Sequence, residues 1–357
     1  MRCAAPAPRR SLPSILMQYA QYPILTTTHN SEISTVGIAL TVDHATASVR
    51  YQNGTFEDLG RVEANAEYKE LMRRLSSPDA CHPHPPYESS EEEWHDYPRQ
   101  LRRRLRMLVG LPASSDVAIL AELLENIAQI TFPEPGSQRA AVISYPALWA
   151  LYQEDLYDAA AHRGIATLRS SPWGNYQSVE LVSAYAGHGL GLCKDPVSSF
   201  DRCFEEEEHL PERLVVLFEY TEYALVMHRR YLSRVHLDPF MDTFIDPSFD
   251  LGSANHPSGA DIQKFVLQFL LHKIGCYEGY YPFTCPEVVT FILTGSESSY
   301  RGENARMVIE AIAVAVHEFG STGELFFSNP DFMAARGAAE MAWRASVVEN
   351  RPPTPTQ

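Results

Sequence analysis

The sequence predicts an α/β protein of two lobes that share a central cleft. Three observations lead there. The chain has 357 residues, 45% of them hydrophobic, more than one small core needs and enough for two. Strand-type apolar runs alternate with runs of helical period, as in α/β folds. The order strands, turn, helix, strand, helix then occurs twice, with no fixed period of the solenoid kind.

Taken in order, Val36–Leu40, Ala45–Tyr51 and Thr55–Val62 read as three strands, the last two joined by a tight turn at Asn53-Gly54. Residues 63–76 have helical spacing through Ala64, Tyr68, Leu71, Met72 and Leu75. Residues 77–98, rich in Pro, Ser and acid, read as a loop, followed by a basic helix carrying Arg99, Arg102, Arg103, Arg104 and Arg106. Asp116–Ile130 is a helix. Ala140–Tyr145 is a buried-type strand ended by Pro146, then an amphipathic helix from Ala147 to Arg163 closes at Gly164. Ile165–Leu168 is a short strand and Gln177–Ala186 a helix. Residues 195–213, with Glu205–Glu208, read as an acidic connection. Leu214–Glu219 and Tyr223–Arg229 form a strand pair, Ala260–Ile274 a helix, Val288–Leu293 a strand, and Asn304–Phe319 and Phe332–Val347 the last helices. The domain reading is a tail at 1–31, lobe I at 32–195, the connection at 196–213, lobe II at 214–330, a closing helix at 331–348 and a disordered tail at 349–357.

Composition limits the partners. Asp and Glu number 45 against 29 Lys and Arg, a net charge of -16, which disfavours phosphate backbones and anionic membranes. No apolar run reaches the ~20 residues of a membrane span. Six cysteines without a C-x-x-C pair point to reduced thiols in a cytoplasmic protein. The first 31 residues carry Arg2, Arg9 and Arg10 and no acid, as mitochondrial targeting segments do, but Pro6, Pro8 and Pro13 break an amphipathic helix, so a disordered tail is expected.

Four segments in order resemble the ATPase fold shared by actin, sugar kinases and the 70-kDa heat-shock chaperones. They are Val36–Leu40 with the Asn53-Gly54 hairpin, Ala141–Ala147 with its helix and Gly164-Ile165, Ile292–Ser298, and Asn329–Ala339. The match spans about residues 34–346 and is nearer to divergent actin-like ATPase-domain proteins of filamentous fungi than to the chaperones. It implies a ribonuclease-H-like, two-lobed fold. Between Val226 and Ile292 the chain is shorter than in the chaperones, which implies a reduced second lobe, and no substrate-binding domain follows the ATPase unit.

The resemblance also implies phosphoryl transfer from ATP, leaving ADP, with Mg²⁺ held by carboxylates and phosphates held by glycine-rich loops. This chain departs from that pattern. The family's first loop, Asp-Leu-Gly-Thr-Thr, becomes Ala39-Leu40-Thr41-Val42-Asp43, so the metal-side Asp is Ala39 and the glycine Thr41. Asp43 either substitutes for the lost carboxylate or serves as a turn residue before His44. The glutamate of the family's Glu-Pro-Thr-Ala run falls on Gln177, which orients water but carries no charge. Glu180, one turn on, is expected on an exposed helix face. The second loop, Asp-Leu-Gly-Gly-Gly-Thr, becomes Glu219-Tyr220-Thr221-Glu222-Tyr223-Ala224. Every glycine is gone, Glu222 sets a negative charge where phosphate would lie, and Glu219 keeps the acid. The adenosine loop survives as Gly295, Ser296 and Glu297.

The catalytic candidates are therefore Gln177, Glu219 and Asp43. The cofactor candidates are Ala39, Thr41, Thr221, Glu222, Gly295, Ser296 and Glu297. Three readings compete: a degenerate binding or regulatory module with weak or no ATP hydrolysis, a working Mg²⁺-dependent ATPase with a rearranged site, and a cleft repurposed for a small molecule other than a nucleotide. Loss of three signatures together favours the first, with a protein or small molecule as partner. Cys81-His82-Pro83-His84 with His95 offers metal ligands, but a loop is the simpler reading. His188 reads as a helix-terminal residue. Ser144 and Ser296 lack a nucleophile elbow, and Tyr277, Tyr280 and Tyr281 form an aromatic run suited to packing or to a partner.

Overall fold

The computed structural model describes residues 34–133, 139–167, 170–171, 174–175, 178–197, 199–235, 243–273, 288–319 and 322–349. The protein is mixed α/β. Its first half holds β1 (Thr35–Leu40), β2 (His44–Arg50), β3 (Phe56–Glu63), α1 (Ala66–Leu75), α2 (Ser90–Leu108), α3 (Ser115–Thr131), β4 (Ala140–Ser144), α4 (Gln153–His162), β5 (Ala166–Thr167), a small hairpin of β6 (Ser170–Ser171) and β7 (Gly174–Asn175), and α5 (Glu180–Gly187). After α6 (Phe200–Glu208) come β8 (Arg213–Tyr220), β9 (Leu225–Leu232), β10 (Thr243–Ser248), α7 (Gly259–Lys273), β11 (Val288–Gly295), α8 (Glu303–Phe319), β12 (Thr322–Phe326) and α9 (Met333–Glu349).

Two five-stranded sheets are built to one plan. Their orders are β3-β2-β1-β4-β5 and β10-β9-β8-β11-β12. In each, three antiparallel strands are followed by two parallel ones. The twice-repeated rhythm of the sequence thus corresponds to one arrangement used twice. The parallel pairs β1–β4 and β8–β11 are buried on both faces, which suits their continuous apolar runs.

Alternation along β8 decides which side chains meet. Leu214, Val216, Phe218 and Tyr220 join the core under α7 and α8, while Val215 and Leu217 join the core that α5, α9 and the first sheet share. Period-two geometry puts Glu219 on that second side, facing the first half. Each fully buried large apolar side chain contributes about 1.5–3 kcal/mol, so these cores fix the strand register firmly.

Helix α9 crosses back to the first half. Thr35 Oγ1 donates to Ala339 O at 2.9 Å, Arg336 pairs with Asp58, Arg50 pairs with Glu340, and the Arg50 guanidinium lies 3.4 Å from the Trp343 ring centroid. Helix α5 packs closely on it. A Cβ at Gly337 would stand 1.7 Å from Ser183 O, so only glycine permits that approach.

Several expectations change. The helix predicted from Ala147 begins at Gln153, because Ala147, Leu148, Ala150 and Leu151 are buried before it. Residues 90–98 of the loop predicted at 77–98 are the start of α2, whose N-cap is the Ser89 side chain accepting from Glu92 N. The acidic connection contains α6, and its Glu207 is buried against Cys193 N at 3.2 Å. Reduced thiols were expected, but Cys193 and Cys203 form a disulfide, Cys81 is disulfide-bonded as well, and no described cysteine is free. Cys193 lies in the loop before α6 and Cys203 inside α6, with Cα atoms 5.2 Å apart, a separation a disulfide spans. Strands β10 and β12 had no clear signal. Among the described residues no helix is long and apolar enough to cross a membrane. The tails 1–31 and 350–357 lie outside the described residues, as do Tyr277, Tyr280 and Tyr281.

Candidate functional site

The β1–β2 and β8–β9 turns face each other where the halves meet, and they are built alike. In the first, Thr41 N donates to His44 O at 2.9 Å, and in the second Thr221 N donates to Ala224 O at 2.9 Å. Each threonine hydroxyl then caps its own turn: Thr41 Oγ1 accepts from His44 N at 3.1 Å, and Thr221 Oγ1 accepts from Ala224 N at 3.1 Å. Threonine does here what glycine-rich sequence would not. Its hydroxyl satisfies the turn locally, so these backbone amides are not presented to a ligand.

The remaining amides are exchanged between the halves. Val42 N donates to Glu219 Oε1 at 2.9 Å, and Tyr223 N donates to Asp43 Oδ2 at 3.2 Å. Each turn offers a carboxylate to the other turn's N–H. Asp43 Oδ1 also meets His44 Nδ1 at 2.6 Å. Burial pushes the Asp43 carboxyl up, but the hydrogen bond and charge of His44 outweigh it and hold the group below its ordinary value. Tyr68 closes the floor, its hydroxyl donating to Thr41 O at 2.8 Å.

Glu219 has a second partner that sequence reasoning placed elsewhere. Glu180, expected on an exposed face, is 1% exposed. It opens α5, whose residues from Glu180 to Ala186 are all buried, and its carboxyl lies beside that of Glu219 and near Thr294. Glu180 Oε2 and Glu219 Oε2 are buried without a hydrogen-bond partner, which favours the neutral, protonated form of each acid. Burial, then the neighbouring Glu180 charge, push Glu219 well above the carboxylate range, and burial raises Glu180. The clue was present in sequence: apart from Glu180 and the small Ser183, Val179–Ala186 is apolar on every side, and a helix apolar all round is buried.

The other predicted residues are placed as follows. Ala39 is buried in β1, paired with Ser144 of β4. Glu222 is exposed at the tip of its turn. Gly295 has φ +104°, and a Cβ there would stand 2.3 Å from Tyr220 O. Its N–H donates to Pro330 O, and Ser296 N donates to Tyr220 O. Glu297 is exposed, with its N–H held by Asp331 Oδ2 at 3.0 Å. Gln177 lies outside the described residues. Asp43, Thr41, Glu219 and Thr221 are brought together. Gly295 and Ser296 adjoin them through Tyr220, while Glu222 and Glu297 are solvent-facing.

This arrangement does not fit Mg²⁺ and a nucleotide triphosphate. Thr41, Asp43, Glu180, Glu219 and Thr221 are all 3% exposed or less, too closed for a nucleotide triphosphate to reach them in this structure. The loop amides are taken by the protein's own carboxylates. Asp43, Glu180 and Glu219 do not converge on one point: among the described residues, the group close enough for shared ligation is Cys193, Cys203 and Glu207, and its sulfurs are joined in a disulfide. A Thr-His-Asp relay is excluded too, since Thr41 and Asp43 both lie on His44 Nδ1 while Nε2 has no partner; a relay needs base and orienting acid on opposite nitrogens. Near Cys81, the rings of His82 and His84 stack on Tyr152 at 4.7 and 3.8 Å, which is packing rather than ligation. His188 ends α5 against Phe326 at 5.1 Å, and burial lowers it to about 4.

No known protein family matches the chain, and no curated protein is significantly similar to it in sequence.

Proposed function

We propose that the chain is a degenerate relative of the actin-like, two-lobed ATPases that acts as a binding or regulatory module with weak or no ATP hydrolysis. The relationship is supported by the repeated strand order and by a last helix that returns to the first half. The loss of catalysis rests on one observation: the Val42 amide, at the position of the family's first phosphate loop, donates to Glu219 Oε1 at 2.9 Å. A buried carboxyl thus sits on the donor that phosphate would need, and it holds that place whatever its charge.

Calorimetric titration of ATP and ADP, with and without Mg²⁺, tests this. Absence of binding at millimolar nucleotide is expected. Micromolar, Mg²⁺-dependent binding would overturn the reading and restore the alternative of an active ATPase with a rearranged site. One observation favours a second reading, a cleft that takes a small polar molecule other than a nucleotide. Ser144 Oγ, Thr294 Oγ1 and Ser296 Oγ, at or just beyond the ends of β4 and β11, are buried without hydrogen-bond partners, and such groups are costly unless something pairs with them. A thermal-shift screen of polyols and small acids separates the two, because the first reading expects no stabilising hit that Thr294→Val abolishes.

A further inference from the structure

Helix α2 is built inside out. Its buried residues are Asp96 and Arg103, and none of its side chains belongs to a hydrophobic core among the described residues. Ion pairs hold it to the protein instead: Arg103 meets Asp155 Oδ1 at 2.8 Å and Asp158, Arg99 meets Asp96 and Glu154, and Gln100 donates to Glu154 Oε2 at 2.9 Å. The opposite face carries Trp94, Tyr97, Leu101, Leu105 and Leu108, which are 71%, 55%, 45%, 54% and 80% exposed. At 100° per residue all five fall within one stripe. Monomeric proteins rarely leave an apolar patch of more than a few hundred Å² open to water.

The stripe has its own symmetry. Trp94 and Leu108 stand equally far from Leu101 along the helix, and so do Tyr97 and Leu105. Two copies laid antiparallel about a two-fold axis through Leu101 would set Trp94 against Leu108 and Tyr97 against Leu105, at both ends alike. Charge follows the same rule. Glu91 and Glu93 are exposed in the first turn, and Arg104 and Arg106 are exposed near the last, so an antiparallel neighbour brings acid toward base at each end and opposes the helix dipoles. A parallel neighbour would set acid on acid.

We infer that this face of α2 is the interface of a homodimer, with a second copy of the chain packed antiparallel across Leu101. The inference goes beyond the proposed function and does not depend on it.

Sedimentation of the full chain tests it. The wild type is expected to dimerise at micromolar concentration. Leu101→Asp with Leu105→Asp should weaken the dimer by about a hundredfold or more, with an unchanged circular dichroism spectrum, since neither side chain is in the core. Two charge variants add a sharper test. Glu91→Lys with Glu93→Lys, and Arg104→Glu with Arg106→Glu, should each self-associate at least about tenfold more weakly, a loss of about 1.4 kcal/mol, and an equimolar mixture should regain the dimer. A wild-type chain still monomeric at about 100 µM would overturn the inference, whether residues 1–33 or another protein then cover the stripe. A dimer that survives Leu101→Asp with Leu105→Asp, or a mixture that fails to recover, would overturn it as well.

Discussion

Val42 N–H donates to Glu219 Oε1 at 2.9 Å across the joint between the two halves. The amide comes from a turn 177 residues earlier in the chain, and the same exchange recurs in reverse from Tyr223 N to Asp43 Oδ2. Each turn thus sets an N–H on a carboxylate of the other half, and Tyr223 N also donates to Thr221 Oγ1 of its own turn at 3.2 Å. A joint of this kind is closed by backbone N–H groups on side-chain carboxylates, so changes of those side chains reveal how much it holds.

Glu219→Ala removes the acceptor and leaves the Val42 N–H buried and unpaired, which costs about 1–3 kcal/mol. Glu219→Gln keeps a carbonyl for Val42 and an NH₂ for Glu180, so it should be at least as stable as the wild type at neutral pH. Urea unfolding of the two variants checks the difference. Equal stability of Ala and Gln would show that the bond carries nothing.

The carboxyl pair gives stability a definite pH dependence. Glu219 and Glu180 are both raised in the folded state, whereas unfolded glutamates ionise near about 4.3. Above that value the unfolded chain has lost protons that the native chain still holds, so stability falls as pH rises from there through the native values. Asp43 acts oppositely. Its lowered value stabilises above about 3.9, and that contribution is lost as pH falls through the native value. The melting temperature of the wild type should therefore decline from pH 5 to pH 8, and Glu219→Gln should flatten the decline. An unchanged slope would mean that the pair does not hold its proton.

Much of the fold could be read in the sequence, and the reason is periodicity. The first three strands, α3, α7, α8 and α9 follow from long apolar patterns and fall within a few residues of their predicted ends. Strand β10 escaped because it contains Asp246 and Pro247 and is only half-buried. Strand β12 is five residues long and partly exposed. The site was half legible. Asp43, Thr41, Glu219 and Thr221 were named from a motif alignment, and the structure brings them together. Glu180 was missed because a glutamate in a first helical turn is ordinarily a solvent-facing dipole partner, and only its contact with a residue from the other half makes it otherwise. The apolar run around Glu180 was the local sign of its burial, but the contact with Glu219 has no local signature.

Close backbone contact makes two glycines irreplaceable. Gly337→Ala must push α9 off Ser183, and overpacking of this kind costs about 1–3 kcal/mol. Gly295→Ala adds a left-handed φ to a clash with Tyr220 and should cost a similar amount. Thermal melts of the two variants, with exposed Gly54→Ala as a control for φ alone, measure the packing contribution.

The anchor of α2 is Arg103, 5% exposed among three acids. Arg103→Met leaves Asp155 buried without its counter-charge, a loss of about 3–5 kcal/mol. Pairing it with Asp155→Leu should recover most of that. Proteolysis of the segment between Cys81 and Ser89 reports the release of α2: it should accelerate in the single variant and return toward the wild-type rate in the double.

The Cys193–Cys203 disulfide closes a short loop beside the buried Arg344, whose guanidinium donates to Cys193 O at 2.9 Å. Replacing both cysteines with serine should cost about 2–4 kcal/mol. A dithiol reductant should lower the melting temperature of the wild type by more than that of the double variant, in which only the disulfide at Cys81 is left among the described cysteines.

The return of α9 to β1 sets a clock on biosynthesis. Thr35 finds its partner Ala339 only 304 residues later, so the first sheet waits, with one face bare, until nearly the whole chain has been made. At about 5–20 residues per second that wait is roughly 15–60 s. During it the second sheet can form and the first cannot finish. The half made first therefore stays unfinished until α9 has been made, and any stop codon before α9 would strand it as a sticky, unfinished surface.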